Sequence, residues 1–205
     1  VLAGGTPLAF DPGCTVRSAD LVVVVETVAG TNGPDRIRVA SAVERAWLDA
    51  LPGAGVLSET VRSWDAAAGR VVATQRAVFD GLVLEEDEIP APADEETARL
   101  LLEAASADPA SALSLDGPAE RLRARVAFLR RAMPELELPP LDDDALRELL
   151  GELVPGRRRL SELRAVPLEP LLRARLGARA LRLLDLHAPA TLPVPTGRDL
   201  PLAYG

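Results

Sequence analysis

The sequence predicts an α+β fold, with strands in the first ninety residues and helices in most of the remainder. Up to residue 84 the apolar segments are short, and they are either β-branched or alternate with polar residues. After residue 94 apolar residues recur at intervals of three and four, as on amphipathic helices. The acidic run Glu85–Glu96, EEDEIPAPADEE, separates the two patterns. It predicts a solvated linker and a boundary between a domain at 1–90 and a domain at 91–205.

About five strands are expected in the first domain. The clearest is Leu21–Val28, LVVVVETV, whose continuous β-branched run predicts a buried strand. The other segments are Val1–Phe10 with a turn at Gly4–Pro7, Arg36–Val39, Val56–Trp64, Arg70–Val78 and the short run Leu82–Leu84. This number and order of strands suits a small antiparallel barrel or sandwich, and an oligonucleotide/oligosaccharide-binding (OB) barrel is one candidate.

One helix is expected to interrupt these strands. Ser41–Leu51 has helical period, and Ser41 with Glu44 three residues later has the spacing of a capping box. Its buried side would carry Val43, Ala46, Trp47 and Ala50, and Pro52-Gly53 would end it.

The second domain is predicted to be helical and to end in a β-hairpin. The expected helices are Glu95–Ser106 with its start at Asp94, Pro118–Met133, Asp142–Val154, Leu160–Ala165, and Leu168–Leu186 with a break near Gly177. On Pro118–Met133 the apolar stripe is Leu122, Val126, Leu129 and Met133, and five arginines including Arg125 occupy the rest of the circumference. Thr191–Pro195 and Leu200–Tyr204 would pair across a turn at Thr196–Asp199.

Composition and motif searches exclude several functions. The chain has 205 residues, a net charge of −8, and arginine as its only basic side chain apart from one histidine, so a general nucleic-acid coat is disfavoured. One cysteine, Cys14, cannot form an internal disulfide or a cysteine-rich zinc site, which fits a reducing, cytoplasmic compartment. No nucleotide-binding, metalloprotease or serine-hydrolase motif is present, and the lone His187 is expected at a helix end. We predict no catalytic residue, no metal site and no membrane association.

The candidate functional residues are arginines that alternate out of strands or cluster in one connection. Phosphate contacts by arginine, together with base stacking on an aromatic residue, are how single-stranded nucleic acids are held without sequence readout. The candidates are Arg36, Arg38, Arg62, Arg76, Trp64 and the triplet Arg157, Arg158 and Arg159. For the arginines the alternative is pairing with nearby carboxylates, and for Trp64 it is a place in the core.

Several stretches, in this order and spacing, resemble the C-terminal region of bacterial DEAH-box ATP-dependent helicases of the HrpB type. They are Arg36–Leu48, Ser63–Asp65, GRVVATQRAVFDGLVLEEDEIP at 69–90, LRARVAFLRRAMP at 122–134, and Ser161–Leu163 with the following segment that ends in LDLHAPATLPVPTGR. Where the family tends to have Gly-Arg-Gly, this chain has Gly4-Gly5-Thr6-Pro7, so a family arginine is missing from that loop.

The resemblance implies a fold and a function. It implies that residues 1–90 form an OB-like domain that lacks its first strand, followed by a truncated, family-specific helical domain at 91–205. It implies that the parent enzyme uses ATP and Mg²⁺ at an upstream helicase core of the same chain, and that this fragment needs no cofactor of its own. We expect the fragment to help guide single-stranded nucleic acid, chiefly RNA, at that core. The rival hypothesis is a structural or protein-interaction module that supports the core without touching nucleic acid.

Overall fold

The computed structural model describes residues 6–30, 33–51, 55–193 and 199–204, and the chain divides into two compact units. The first unit comprises Val1–Val61 and Ala73–Pro90, and the second comprises Arg62–Val72 and Ala91–Gly205. The predicted turns at Gly4–Pro7 and Thr196–Asp199 and the helix stop at Pro52-Gly53 rest on residues outside the described ranges.

The first sheet has three strands, with β3 in the centre. They are β1 (Ala9–Phe10), β2 (Val22–Val28) and β3 (Arg36–Ala42), in the order β1-β3-β2. β1 is parallel to β3, whereas β2 is antiparallel to β3, and the β2–β3 register shifts on either side of Glu26. A register shift of this kind is typical of a β-bulge, which bends and twists an edge strand.

Strand β2 exists as predicted, but the prediction that it is buried was wrong. Val23 is 53% exposed and Val25 is 68% exposed. β2 lies at the edge of its sheet, and among the described residues of β2 and β3 only Ile37 is fully buried. A run of β-branched residues indicates a preference for an extended backbone. Such a run does not determine whether another layer of the fold covers the strand.

The inserted helix α1 is shorter than expected, at Arg45–Asp49. β3 continues to Ala42, so Ser41 pairs with Val23 in the sheet and cannot cap a helix. The N-cap is Glu44, which makes no side-chain capping bond. The predicted capping box and the predicted buried face were both wrong, since Trp47 is 55% exposed.

The second sheet has the order β4-β5-β6, with β4 at Leu57–Asp65, β5 at Arg70–Phe79 and β6 at Leu82–Ile89. β5 and β6 are antiparallel and pair Thr74 with Glu88 and Arg76 with Glu86. Glu85–Ile89 therefore belongs to a strand, which corrects the prediction that the acidic run is a linker from its first residue. The α+β class is confirmed; within the described ranges the strands form open sheets, and the OB-like barrel is not confirmed.

The second unit contains α2 (Glu95–Ser106), α3 (Pro109–Ala112), α4 (Gly117–Ala132), α5 (Asp143–Leu153), α6 (Leu160–Arg164) and α7 (Leu168–His187). A 3-10 turn at Pro134–Leu136 and the short α3 were not predicted. No described helix is both long and apolar enough to cross a lipid bilayer.

Aspartates at the N-caps begin four of these helices. Each side chain accepts a bond from the backbone N–H three residues later, which satisfies a donor that the first helical turn leaves free. The four are Asp94, Asp108, Asp116 and Asp142, with N···O distances of 3.0, 3.1, 3.2 and 3.1 Å.

The core of the second unit consists mainly of leucine. α5 packs against α2 and α3, α3 packs against α6, and α4 packs against α7. Leu101, Leu146, Leu150, Leu163 and Leu184 are fully buried.

The chain end is anchored to α4. A hairpin of β7 (Thr191–Pro193) and β8 (Asp199–Pro201) follows α7, as predicted. The ring of Tyr204 lies 5.1 Å from that of Phe128, and the Tyr204 hydroxyl donates to the Pro189 carbonyl at 2.6 Å.

Candidate nucleic-acid interface

Two of the candidate strand arginines are paired with carboxylates across the sheet. Arg38 on β3 lies 3.1 Å from Glu26 on β2. Arg76 on β5 donates from Nε and Nη2 to the two carboxylate oxygens of Glu86 on β6, at 3.1 and 3.3 Å. A bidentate pair of this kind fixes the guanidinium in the plane of the carboxylate. A phosphate would have to displace that carboxylate before it could bind.

Arg62 and Trp64, near the end of β4, lie in the second unit. Arg62 is mostly buried and forms an ion pair with Asp94, the residue that caps α2. Trp64 is half-buried on the same strand. Arg62 therefore links the end of the β4 strand to the start of a helix.

Asp94 is held in its charged form by this arrangement. The Thr97 backbone N–H that bonds to Asp94 lowers the pKa of its carboxyl, and the neighbouring Arg62 lowers it further. Two residues later, in the first turn of α2, the pKa of the Glu96 carboxyl is lowered chiefly by a hydrogen bond from Arg99. Both carboxylates therefore stabilise the folded chain in their ionised form.

The arginine triplet does not form a joint cationic surface. Arg157 donates to the Leu153 carbonyl at the end of α5, and the Arg158 side chain donates to the Ala91 carbonyl. Glu162 accepts bonds from the backbone N–H groups of Arg158 and Arg159, at 2.7 and 3.1 Å.

The backbone of the triplet also pairs with the β4–β5 hairpin. The Val71 N–H donates to the Arg158 carbonyl at 2.8 Å, and the Leu160 N–H donates to the Gly69 carbonyl at 2.9 Å. Arg159 forms a β-bridge with Arg70. The triplet segment thus pairs with the hairpin through an isolated β-bridge, and of its three residues only Arg159 is exposed.

Among the predicted site residues, Arg36 is the clearest available cation. It is exposed at the start of β3, and its side chain has no ion pair or hydrogen bond with the other described residues. The structure therefore disperses the predicted site: it places Arg36, Arg38 and Arg76 in the first unit, and it places Arg62, Trp64 and the triplet in the second.

The sequence analysis missed the most buried charged side chain among the described residues. Arg125 of α4 was predicted on the polar circumference, but it is 7% exposed. Its Nε donates to the Ala188 carbonyl at 2.7 Å, and its Nη2 donates to Asp185 at 2.8 Å. This places a cation at the C-terminal end of α7, where the helix dipole favours it. Arg125 lies one helical turn from the buried Leu122 and Leu129. This spacing is the one local signal in the sequence that indicates burial of Arg125.

The described residues offer no candidate metal centre. They contain no cluster of histidine, cysteine and carboxylate side chains that could hold a metal ion. Cys14 is buried, and His187 is the last residue of α7, the helix-end position that the sequence predicted.

Comparison with known proteins confirms the resemblance that the sequence indicated. No protein-family model matches the chain. The ATP-dependent RNA helicase HrpB of Escherichia coli (strain K12) is 27% identical over 212 residues, and the match covers 99% of this chain and 26% of that protein.

Two solved structures of E. coli HrpB are also similar. One, described as a DExH-box NTPase, has a TM-score of 0.52 at 26% identity, with 100% of this chain and 26% of that chain covered. The other, described as a DEAH/RHA helicase, has a TM-score of 0.51 at 24% identity, with 90% and 24% covered, and supports the fold alone. This chain spans about a quarter of the length of these relatives.

Proposed function

We propose that this chain is an accessory region of an HrpB-type ATP-dependent helicase, and that its first unit docks onto the rest of the helicase. The main support is the distribution of apolar side chains. Of the apolar residues in the described part of the first unit, only Cys14, Ile37 and Ala73 are buried. Ten of the thirteen exposed large apolar side chains of the described residues also lie there, including Val25, Trp47 and Leu57. Apolar surface of this extent is typical of an interaction site.

The charges of the first unit fit docking better than nucleic-acid binding. Arg38 and Arg76 are paired with glutamates, and β6 carries four consecutive carboxylates, Glu85–Glu88. Carboxylates beside a paired arginine repel the phosphates that the arginine would otherwise attract. The rival hypothesis, a supporting module, is therefore the one that this geometry favours.

Within this proposal the chemistry belongs to other parts of the helicase. The chain has no phosphate-binding-loop sequence, so ATP and Mg²⁺ would bind the upstream helicase core. We further propose that the two domains span residues 1–90 and 91–205. We also propose that the protein is cytoplasmic and has no membrane partner.

Docking is tested by mixing this chain with a separately produced helicase from which the region equivalent to this chain has been removed. Binding is measured by isothermal titration calorimetry. We expect a complex that Val25→Glu weakens at least about tenfold, since a charge would be buried at the interface. Leu186→Glu in the second unit is the matched control, because Leu186 is 72% exposed and Val25 is 68% exposed. The absence of a complex, or equal weakening by both variants, would contradict docking through the first unit.

A second candidate function is the guiding of single-stranded RNA. It is favoured by exposed Arg36 and by the name of the relative, an ATP-dependent RNA helicase. Fluorescence anisotropy with a labelled single-stranded RNA, first at low salt and then at rising salt, tests it. Guiding predicts saturable, salt-sensitive binding that Arg36→Ala reduces more than Arg76→Ala does. Docking alone predicts no binding by the isolated chain even at low salt.

A further inference from the structure

Helix α7 changes direction at Gly177. This residue has φ 75° and ψ 166°, inside an element that is otherwise helical. Such a backbone conformation is essentially restricted to glycine. A Cβ atom built at Gly177 would meet no other atom within 4 Å, so the break lies in open space. Packing against neighbouring atoms is therefore not what requires a glycine here; the backbone conformation requires it.

The buried positions of α7 explain why a break is needed. They recur at every fourth residue: Leu168, Leu172, Leu176, Ala180 and Leu184. Four residues of an α-helix turn through 400°, so the stripe drifts by about 40° at each step and by about 160° from Leu168 to Leu184. A straight helix would direct its two ends to nearly opposite sides. The break at Gly177 allows both ends to be buried.

The two halves of α7 are attached to different helices. In the first half, Arg175 forms ion pairs with Glu148 and Glu152 of α5, the latter at 3.2 Å. In the second half, Asp185 and the following Ala188 bind Arg125 of α4. α5 is itself packed with α2 and α3, whereas α4 packs against α7.

From these observations we infer that α4 and the second half of α7 move as one body about Gly177, relative to α2, α3, α5 and the first half of α7. The ion pair between Arg123 of α4 and Asp143 of α5, 2.5 Å apart, links the two bodies across their surface. The Arg123 side chain is 27% exposed and that of Asp143 is 53% exposed, so solvent and salt screen this pair. Arg125, by contrast, is buried, and it keeps α4 attached to the second half of α7. The Arg123–Asp143 pair is therefore a salt-sensitive latch on a glycine hinge.

The test is electron–electron resonance spectroscopy on the full chain with spin labels at Ala127→Cys in α4 and Ser161→Cys in α6. Both positions are exposed, and buried Cys14 is replaced by serine. A second pair, Ala107→Cys with Ser161→Cys, serves as an internal reference, because α6 packs against α3 and so belongs with α2 to the other body. We expect the first pair to show a second distance whose population grows with salt, and the reference pair to show one distance throughout.

Asp143→Asn is the decisive variant, and Asp144→Asn is its control. Both remove one charge from the first turn of α5, but Asp144 pairs with Arg147 of the same helix, at 2.6 Å. We expect Asp143→Asn to raise the second population about two- to fivefold, as for loss of an exposed ion pair, and Asp144→Asn to leave it unchanged. One distance for the Ala127–Ser161 pair in every variant and at every salt concentration would overturn the hinge. Equal effects of the two variants would overturn the latch.

Discussion

Replacing the glycine at the break of α7 by alanine should destabilise the chain, whereas the same replacement within α5 should stabilise it. Gly151 lies in α5, and an added Cβ would meet no atom within 4 Å there, as at Gly177. The two substitutions therefore add one methyl group to open space in both cases. They differ in backbone conformation, since Gly177 alone of the two has a positive φ, of 75°.

The expected sizes follow from the two backbones. Alanine at Gly151 lowers the entropy of the unfolded chain and should stabilise by about 0.5–1 kcal/mol. Alanine at Gly177 has two options. It can keep the glycine conformation, at a cost of about 1–3 kcal/mol. It can instead become helical and turn one end of the buried stripe, Leu168 or Leu184, towards water, at about 1.5–3 kcal/mol for each leucine. Either option destabilises by more than about 1 kcal/mol.

Urea denaturation followed by far-UV circular dichroism measures both variants beside the parent chain. The two free energies of unfolding should differ by about 1.5–4 kcal/mol, the sum of the two opposite effects. A neutral or stabilising Gly177→Ala would refute the reasoning, because alanine would then be compatible with the backbone at position 177. Unchanged slopes of the free energy against urea would confirm that neither variant alters the surface exposed on unfolding.

Three further predictions concern the second unit. Arg125→Met leaves the Ala188 carbonyl without its donor and should destabilise by about 2 kcal/mol in urea denaturation, whereas Arg182→Met, at an exposed position of α7, should change little. Folding lowers the pKa of Asp94, so its contribution is present above its unfolded pKa, with a reference value of 3.8, and is lost as the pH falls through the lower, folded pKa. Asp94→Asn should therefore flatten the acid side of a plot of melting temperature against pH, and an unchanged slope would contradict the pKa shift. Leu146→Ala removes a fully buried side chain and should destabilise by about 2–5 kcal/mol in chemical denaturation; a loss below about 1 kcal/mol would show that the site collapses around alanine.

The features that the sequence alone determined are those that neighbouring residues control. The start of α2 at Asp94 follows from a side chain that bonds to the backbone three residues away. The break at Gly177 follows from a backbone conformation that other residues avoid. The strands β4 and β5 follow from alternation and a short turn, and the resemblance to HrpB-type helicases follows from the order of such segments.

Tertiary structure alone decided which side chains are buried and which charges are paired. The run at β2 reads as a core strand, but its place at the edge of a sheet leaves Val25 exposed. The sequence predicts Arg76 as a phosphate contact, but the β5–β6 register places Arg76 opposite Glu86, with which it forms an ion pair. Arg125 reads as a surface residue, but its partner Asp185 lies 60 positions away. The physical reason is range: capping bonds and backbone preferences act within one turn of chain, whereas burial and ion pairing depend on residues that only the fold brings together.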